Sequence, residues 1–494
     1  MAQNKSAPAK TPAMSTAGKM GVFGLAGIVV SSMIGGGIFS LPQNMAQSAS
    51  IGAVLIAWLI TGFGMYFIAN SFRILSMAKP DLTTGIYMYS KEGFGPYMGF
   101  TIGWSYWLCQ VFGNVGYAVI TMDALDYFFP GVFTGGNNLY SIIGGSLLIW
   151  GFNFLVLRGM QQASVVNLIA TIAKMVPIFL FIIILLFFFN IDKFDFDFWG
   201  QAIAGKVKSL GDVGTQVKST MLVTLWAFIG IEGAVVLSNR ARSQSDVGKA
   251  TLIGFLGCLI IYVLLSILPY GFMTQAELAV VPDPSTAGVL EKAVGPWGAW
   301  LMNIGLIVAT LASWLAWTMI TAQMPQSMAE DGAMPKAFAK ENTAGSPSVS
   351  LWITSLAMQL GMLLVYFSNN AWNMMLSITA VMVLPAYLTS TAYLWKICED
   401  GEYPSDTPTK RSAALITSVF GSIYALWLIY AAGLNYLLMA AILIALGIPV
   451  YVWARKQHQN GQPVFKKAET GLAVIIVGLA LFAIYALARG IVKI

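Results

Sequence analysis

Thirteen stretches of mostly apolar residues, separated by short polar segments, occupy nearly all of the chain. Their approximate limits are 21–48, 51–77, 97–129, 139–158, 161–190, 216–240, 248–272, 296–324, 348–367, 371–397, 412–432, 434–454 and 470–491. A helix needs roughly 20 mostly apolar residues to cross a bilayer, and each stretch is long enough. The longest polar intervals, near 191–215 and 326–347, are too short to fold as a further domain. This pattern predicts an all-α membrane protein with about thirteen transmembrane helices.

The composition excludes an ordinary soluble domain, because 57% of the 494 residues are hydrophobic and only 10% are charged. Residues 1–20 are small, polar and lysine-bearing, which predicts a disordered cytoplasmic tail. We expect no signal peptide, since no short apolar core with a cleavage site precedes the first long stretch. The three cysteines give neither a disulfide framework nor metal-ligand spacing. We therefore expect no metal and no cofactor. The single His458, in a loop, gives little basis for an enzyme.

The basic residues are distributed by membrane side. Placing the N-terminus in the cytoplasm puts 19 of the 27 Lys and Arg residues at cytoplasmic ends, seven at outer ends and Lys174 within a stretch. The positive-inside rule then predicts a cytoplasmic N-terminus and, with thirteen crossings, an extracytoplasmic C-terminus in a bacterial inner membrane. Because the net charge of +6 forms no patch, we expect no nucleic-acid partner.

Counting the predicted helices as spans 1 to 13 reveals a repeat. Spans 1–5 and spans 6–10 each begin with a glycine-interrupted helix, and an odd number of spans makes the second set enter from the opposite face. We therefore expect an inverted-repeat transport core over 21–400. Spans 11–13, within 401–494, would serve as scaffold or as packing for a homodimer. The segment 273–295 is either a lid over the outer mouth or an inert surface helix.

The two interruptions are Ile34–Gly37 in span 1 and Ile229–Gly233 in span 6. Unwound backbone at that depth is tolerated only where it is buried in protein or lines a cavity. Opening span 1 creates a helix N-terminus with free N–H groups, which attracts an anion such as a carboxylate. Opening span 6 frees carbonyl groups that suit a cationic amine. Together they predict a pocket for an α-amino acid zwitterion. The alternative is a small-residue packing face between helices.

Two charged residues lie deep inside predicted helices. An intramembrane carboxylate such as Glu232 indicates a functional site. Glu232 could attract a cationic ligand, sense protons or hold the unwound segment by a hydrogen bond. It could also stay protonated against neighbouring backbone. Lys174, midway along span 5, could occupy the place of a sodium ion in sodium-coupled transporters of this architecture, or lose its proton in the low-dielectric interior. Either role makes a bound metal unnecessary.

Aromatic residues are placed to complete the pocket. Trp226 lies about one turn before the second interruption, Tyr106 and Trp107 lie in span 3, and Trp317 lies in span 8. Aromatic faces can stack on a guanidinium or hold an ammonium, at about 0.5–2 kcal/mol each. Most aromatic residues in such a chain pack in the core or at the lipid interface, so Trp226 is the most informative of the four.

Four segments resemble the amino acid–polyamine–organocation superfamily and, within it, the basic amino acid/polyamine antiporters such as the arginine/agmatine and arginine/ornithine exchangers. The segments are IVVSSMIGGGIFSLPQNMA, TTGIYMYSKEGFGPYMGFTIGWSYWLCQVFGNVGY, VTLWAFIGIEGAVV and AWTMITAQMPQSMAEDGAMPKAF. The resemblance covers roughly 20–400 and implies a LeuT-like fold of two inverted five-helix repeats with discontinuous helices 1 and 6. The arginine/agmatine exchanger differs in having a Trp at the place of Val111 and a Ser at the place of Gly36. The thirteenth span resembles the arginine/ornithine branch more.

By position, the resemblance implies a substrate-binding set on four spans. The span 1 residues hold the carboxylate and amino groups. In span 6 the tryptophan stacks on the substrate side chain, the carbonyls take the α-amine and the glutamate is linked to proton sensing or occlusion. Span 3 supplies an aromatic gate and a polar contact, and span 8 closes the pocket floor. The set comprises Ile34, Gly35, Gly36, Gly37, Tyr106, Asn114, Trp226, Ile229, Gly230, Glu232 and Trp317, with Glu232 and Lys174 as candidates for proton or ion coupling.

The resulting hypothesis is obligatory exchange of a cationic amino acid, arginine in the first place, for a related product such as ornithine. Alternating access would come from rocking around the interrupted helices. Proton-coupled uptake of a neutral amino acid remains open, as do lysine/cadaverine, histidine/histamine and tyrosine/tyramine exchange. A channel is disfavoured because the chain lacks a filter motif such as TVGYG.

Overall fold

The computed structural model describes residues 20–200, 210–236, 241–368, 370–458 and 463–491, with side chains described in these ranges except over 160–172. The described residues form helices and no strand beyond two isolated bridges. The α-helices are α1 (Val22–Met33), α2 (Leu41–Ala46), α3 (Ile51–Ala78), α4 (Ile86–Phe94), α5 (Pro96–Asp126), α6 (Leu139–Leu157), α7 (Met160–Phe188), α8 (Ile191–Asp195), α9 (Val213–Ala227), α10 (Gly233–Val236), α11 (Gln244–Ile267), α12 (Gln275–Ala279), α13 (Ser285–Val294), α14 (Pro296–Glu330), α15 (Ser348–Leu364), α16 (Ala371–Glu399), α17 (Arg411–Ala432), α18 (Leu434–Ala445), α19 (Gly447–His458) and α20 (Lys467–Ala488).

The prediction of an all-α membrane protein is confirmed. Within the described ranges, ten helices are long and apolar enough to cross a bilayer, or eleven when the bent pair Val22–Met33 and Gly36–Ala46 counts as one. Two of the thirteen predicted spans fall outside that count. Span 5 lies in α7, of which Ala173–Phe188 qualifies as a shorter apolar helix. Span 6 is divided between α9 and α10, and its predicted end at 237–240 is outside the described residues, as is the predicted tail except for Met20.

Both predicted interruptions exist. Between α1 and the 3-10 helix Gly36–Ser40 the chain bends by 49°. Span 6 stops being helical at Phe228 and resumes at Gly233. Each break lies between two helical halves, which is the arrangement that leaves backbone groups free at mid-membrane.

Helices α5, α14 and α16 form the centre of the bundle. Within the apolar part of α5, 83% of the residues are buried, against 28% for α20 at the periphery. α5 packs against α14 and α16, and α14 packs against α7. Most of the surface of α5, α14 and α16 is therefore covered by protein. α20 presents a largely apolar surface to its surroundings and packs mainly on α18.

Helix α13, part of the predicted lid, packs over the second half of span 1. The Ser285 hydroxyl accepts a hydrogen bond from the Gln43 N–H at 3.2 Å and donates to the Phe39 carbonyl at 3.3 Å. Just before it, the half-buried side chain of Asp283 lies beside the Ser40 hydroxyl, and withdrawal of its carboxyl group from water raises the pKa of Asp283 to about 6. These contacts favour a covering role for this segment over an inert surface helix.

Candidate functional site

The span 1 interruption is a place of close approach. α1 ends at Met33, and the 3-10 helix that follows begins at Gly36 without any side-chain cap at Gly35. A Cβ atom would lie 2.4 Å from the Tyr117 hydroxyl if added at Gly35, and 1.6 Å from the Trp226 ring if added at Gly37. At Gly35 and Gly37, a larger residue is therefore excluded because it would clash with neighbouring side chains. The backbone dihedral angles there would allow one.

At Gly36 the added atom would lie 2.4 Å from a methyl group of Thr310. Within the described residues, the N–H groups of Gly36 and Gly37 donate to no backbone or side-chain acceptor outside their own short helix. The first N–H groups of a helix have no partner within it, so these two remain able to bind an anion.

The span 6 interruption is a tight turn. α9 ends at Ala227, and Gly230 has a φ of +109°, a conformation that residues with a side chain rarely adopt. The Ile229 carbonyl accepts no hydrogen bond from a described residue. It is thus the free acceptor that the sequence predicted at this break.

Hydrogen bonds join the two breaks. The Ser32 hydroxyl donates to the Gly230 carbonyl at 2.9 Å, and the Ser32 carbonyl accepts from Trp317 Nε1 at 3.1 Å. Ser313 donates to the Ile34 carbonyl at 3.1 Å. Spans 1, 6 and 8 therefore meet at one point, where helix α14 holds the free end of α1 in place.

Glu232 is fully buried and surrounded by hydrogen-bond donors. Its Oε1 accepts from the Tyr106 hydroxyl at 2.7 Å, while its Oε2 accepts from the Tyr387 hydroxyl at 2.8 Å and from the Gly230 N–H at 3.2 Å. These three donors pair both oxygens of the carboxylate. Glu232 thus shapes the turn through Gly230 and links it to α5 and α16.

Lys174 is also fully buried, but its partners are neutral. The ammonium donates to the Ser31 carbonyl at 2.9 Å, the Ser31 hydroxyl at 3.3 Å and the Ser313 hydroxyl at 3.0 Å. No ion pair joins it to a carboxylate in the part of the chain that the structure describes. Three oxygens therefore converge on the Lys174 nitrogen between α1, α7 and α14, and whether Lys174 acts in place of a metal ion or by losing its proton stays a prediction.

A small cavity lies against both breaks and is lined by residues of α1, α5, α9, α14 and α16. Its volume is about 30 Å³, enough for about two water molecules. An amino acid is larger, so side chains have to move when one enters; Trp226, half-buried beside the cavity, is the best-placed ring to do so. The lining residues are Ser32, Met33, Cys109, Gln110, Gly113, Asn114, Tyr117, Trp226, Ile229, Trp317 and Thr379.

Comparison with known proteins decides the family. The family model described as amino acid permease matches residues 20–433. The chain belongs to the amino acid permease family. It is 60% identical over 472 residues to the arginine/agmatine antiporter of Chlamydia abortus, which covers 95% of this chain and 97% of that protein. It is 61% identical over 466 residues to that of Chlamydia caviae, covering 94% and 96%. With the protein of the same name from Chlamydia trachomatis serovar D it shares 57% over 466 residues, again 94% and 96%.

In the permease, the predicted residues form two groups, those that line the cavity and those that do not. Asn114, Trp226, Ile229 and Trp317 line the cavity itself. Tyr106, Glu232 and the three span 1 glycines are not among the lining residues, but Gly35 lies against Tyr117 and Gly37 against Trp226, which are. Trp107 faces away, since its Nε1 donates to Thr354 on α15 at 3.0 Å. The predicted substrate-binding roles stay a prediction at this point.

Sequence reasoning missed several lining residues of the permease, above all Gln110 and Thr379. Gln110 precedes the predicted Asn114 by four residues, and Tyr117 follows it by three, so all three share one face of α5. That helical spacing was available in the sequence. Nothing comparable marked Thr379, because its position depends on how α16 packs against Gly113 of α5, whose Cβ would lie 3.5 Å from the Thr379 methyl group.

Proposed function

We propose that this permease is an antiporter that exchanges arginine for agmatine by alternating access. The observation that carries the proposal is the similarity of about 60% over almost the whole chain to proteins named arginine/agmatine antiporters. The site is compatible with that activity. Free N–H groups at Gly36 and Gly37 suit the arginine carboxylate, the Ile229 carbonyl suits its amine, and Trp226 and Trp317 offer faces for a guanidinium.

Agmatine is arginine without its carboxylate, and this difference suggests how the two substrates are told apart. Both would place an amine near Ile229 and a guanidinium in the cavity. Only arginine would also engage the N–H groups of Gly36 and Gly37. The contact of Ser32 to Gly230, and those of Ser313 and Trp317 to span 1, would then respond to which substrate is bound.

The sequence favoured ornithine as the exchanged product, whereas the relatives' names point to agmatine. Charge distinguishes the two. Arginine and ornithine each carry one net positive charge near neutral pH, and agmatine carries two. Arginine entry against ornithine exit is electroneutral, but arginine entry against agmatine exit moves one net positive charge outward.

Counterflow in proteoliposomes tests the proposal. Labelled arginine should enter agmatine-loaded vesicles much faster than empty ones, and an inside-positive potential set with potassium and valinomycin should accelerate it. If counterflow is faster with ornithine and does not depend on the potential, then ornithine and not agmatine is the exchanged product. Equal uptake into loaded and empty vesicles would rule out obligatory exchange.

Proton-coupled uptake is the second candidate, and the surroundings of Lys174 favour it. An ammonium held only by neutral oxygens between α1, α7 and α14 can release its proton without breaking an ion pair. In that case substrate added to empty vesicles should raise the external pH, and Lys174→Ala should abolish this change. No pH change in wild-type vesicles would exclude the coupling.

The membrane and topology assignments belong to the same proposal. A bacterial inner membrane, with the N-terminus in the cytoplasm and the C-terminus outside, is supported by the excess of basic residues at the predicted cytoplasmic ends. The proposal also includes a homodimer in which spans 11–13 pack against each other. Accessibility of single introduced cysteines at either terminus and cross-linking through α17 would test these assignments.

A further inference from the structure

An apolar groove lies between α3 and α11, two helices that are long and apolar enough to cross a bilayer. About half of each apolar stretch is buried in protein, while Leu59 and Phe63, which line the groove, are exposed. The volume of the groove is about 860 Å³. Small-molecule sites commonly have volumes of about 300–1,000 Å³. The groove therefore opens toward the bilayer and is large enough to hold a ligand.

The groove contains a polar group without a partner. Among the nine described residues that line it, only Trp58 has a polar atom in its side chain. Trp58 is 3% exposed, and its Nε1–H donates to no acceptor in the parts of the chain that the structure describes. A buried indole N–H usually has an acceptor, because an unpaired donor destabilises the folded protein. The groove thus suits a mostly apolar ligand that supplies a hydrogen-bond acceptor.

Trp58 lies close to the depth at which the ester groups of phospholipids are found. α3 has 28 residues, which makes it about 42 Å long against a hydrocarbon core of about 30 Å. About 6 Å of the helix therefore projects at each end when it is centred in the bilayer. Trp58 lies roughly 10 Å from the first residue of α3, and so roughly 4 Å inside the hydrocarbon boundary. Tryptophan is enriched at this boundary, where it reaches polar lipid groups.

The chemistry of the groove favours a phospholipid as its occupant. From Leu55 to Phe63 the lining of α3 extends about 12 Å, which an acyl chain can follow. The ester carbonyl at the top of that chain supplies the acceptor that Trp58 lacks. A second copy of the chain would meet the groove with an apolar helix, whose backbone carbonyls are already paired within the helix. A lipid is therefore the better partner for this surface.

The wall of the groove is in contact with the span 6 break. The Trp58 ring lies edge-on to Phe228, with the ring centroids 6.3 Å apart. Tyr262 of α11 contacts both rings, at 6.3 Å from Trp58 and 5.4 Å from Phe228. Phe228 is the residue at which α9 ends, and Ile229 with its free carbonyl follows it. A ligand in the groove therefore supports Trp58 against the residue that precedes this carbonyl.

We propose that an acyl chain of a membrane phospholipid binds in the groove between α3 and α11, that its ester carbonyl accepts a hydrogen bond from Trp58, and that it thereby stabilises the span 6 break in the substrate-binding conformation. Without the lipid, the Trp58 ring loses its support, and the Ile229 carbonyl is held less firmly. Lipid binding rests on the structure alone, whereas its effect on transport rests on the arginine exchange proposed above.

Two phospholipids that differ only in their linkage test the hydrogen bond. Arginine exchange is measured in proteoliposomes of a diester phosphatidylcholine and of the diether lipid with the same chains and headgroup. The diether lipid has no carbonyl, so the KM for arginine should be about fivefold higher in it, as expected for one lost hydrogen bond. The kcat should change little. Equal KM values in the two lipids would overturn the coupling between groove and site.

Three variants assign the effect to the groove. Trp58→Phe keeps a ring against Phe228 but has no N–H, so the KM should be equally high in both lipids. Gly62→Leu should give a low KM in both, because protein then fills the groove; its Cβ would lie no closer than 3.4 Å to Leu259. Trp300→Phe on α14, also exposed near a helix end, is the matched control and should retain the fivefold difference. A difference that persists in Trp58→Phe would contradict the assignment.

Occupancy of the groove is measured independently of transport. Native mass spectrometry should find one more phospholipid per chain in the wild type than in Gly62→Leu, and equal counts would refute the lipid site even if arginine exchange is normal. Leu59→Cys, in a chain whose three native cysteines are replaced by serine, tests for a second copy. A disulfide-linked dimer in membranes would show that another chain covers the groove and would overturn the proposal. A protein that retains the additional lipid but does not exchange arginine would refute the proposed function and support the lipid site.

Discussion

The two helix interruptions are alike in effect and different in cause. In span 1, three glycines have ordinary dihedral angles, and side chains from Tyr117, Thr310 and Trp226 occupy the space that their Cβ atoms would need. In span 6, Gly230 has a positive φ, and the nearest atoms to its missing Cβ belong to the Ser32 backbone, at 2.8 Å. One break is kept open by packing and the other by backbone conformation.

This difference predicts at which break the effect of replacing a glycine can be reversed by a second substitution. A clash with a side chain is relieved when that side chain is shortened, whereas a clash with backbone and a strained φ have no such remedy. The two breaks therefore have different mutational signatures, although both glycine segments look alike in the sequence. The experiments below are ordered from the largest expected effect to the smallest.

Gly230→Ala should have the largest effect. The forced φ costs about 1–3 kcal/mol, and the Ser32 carbonyl blocks the new methyl group. We expect loss of arginine exchange together with a lowered melting temperature, and no recovery when Ser32 is also changed to Gly. Gly257→Ala on α11, which has no atom within 4 Å of the added Cβ, is the control. Normal exchange by Gly230→Ala would show that the turn tolerates a side chain.

Gly37→Ala should slow exchange at least about a hundredfold, because the added methyl group would clash with the Trp226 ring. A second substitution that shortens Trp226 should relieve this clash. Trp226→Leu alone should weaken arginine uptake about tenfold through lost stacking. The double variant should behave like Trp226→Leu and not like the sum of both changes. Gly27→Ala on α1, with open space around it, is the control. Additive losses in uptake kinetics would contradict the packing explanation.

Glu232→Gln should slow exchange about tenfold to a hundredfold at unchanged expression. The amide keeps one acceptor oxygen but replaces the other by a donor, which then faces either the Tyr106 or the Tyr387 hydroxyl. Tyr106→Phe and Tyr387→Phe form a matched pair and should each cost less than Glu232→Gln. Transport rates over a range of pH would show whether the carboxylate also senses protons. Wild-type rates in Glu232→Gln would remove it from the mechanism.

The smallest effect concerns Cys109, the one cysteine among the cavity-lining residues. In a background with Cys258→Ser and Cys398→Ser, a small methanethiosulfonate reagent should react slowly with Cys109 and inhibit exchange. Arginine should lower the rate of this reaction severalfold because it fills the cavity. Mass spectrometry of the intact protein measures the labelling. Labelling that is indifferent to arginine would place the substrate elsewhere.

Much of this arrangement could be predicted because membrane physics leaves few options. The apolar lengths of the spans, the two glycine interruptions and the buried Glu232 and Lys174 all stand out against a hydrophobic background. The prediction fell short where contact between distant helices decides position. Trp107 was expected in the pocket but bonds to Thr354, and Thr379 was not expected there at all.

The sequence by itself determined that the chain crosses a membrane many times and that two of its helices are broken, since unsatisfied backbone groups and charges are costly in hydrocarbon and are retained only where protein surrounds them. Only the tertiary structure decided which groups face the cavity. Tyr106 and Tyr387 meet at Glu232, and the oxygens of Ser31 and Ser313 meet at Lys174. Such pairings depend on side chains more than a hundred residues apart, and helical spacing along one segment does not encode them.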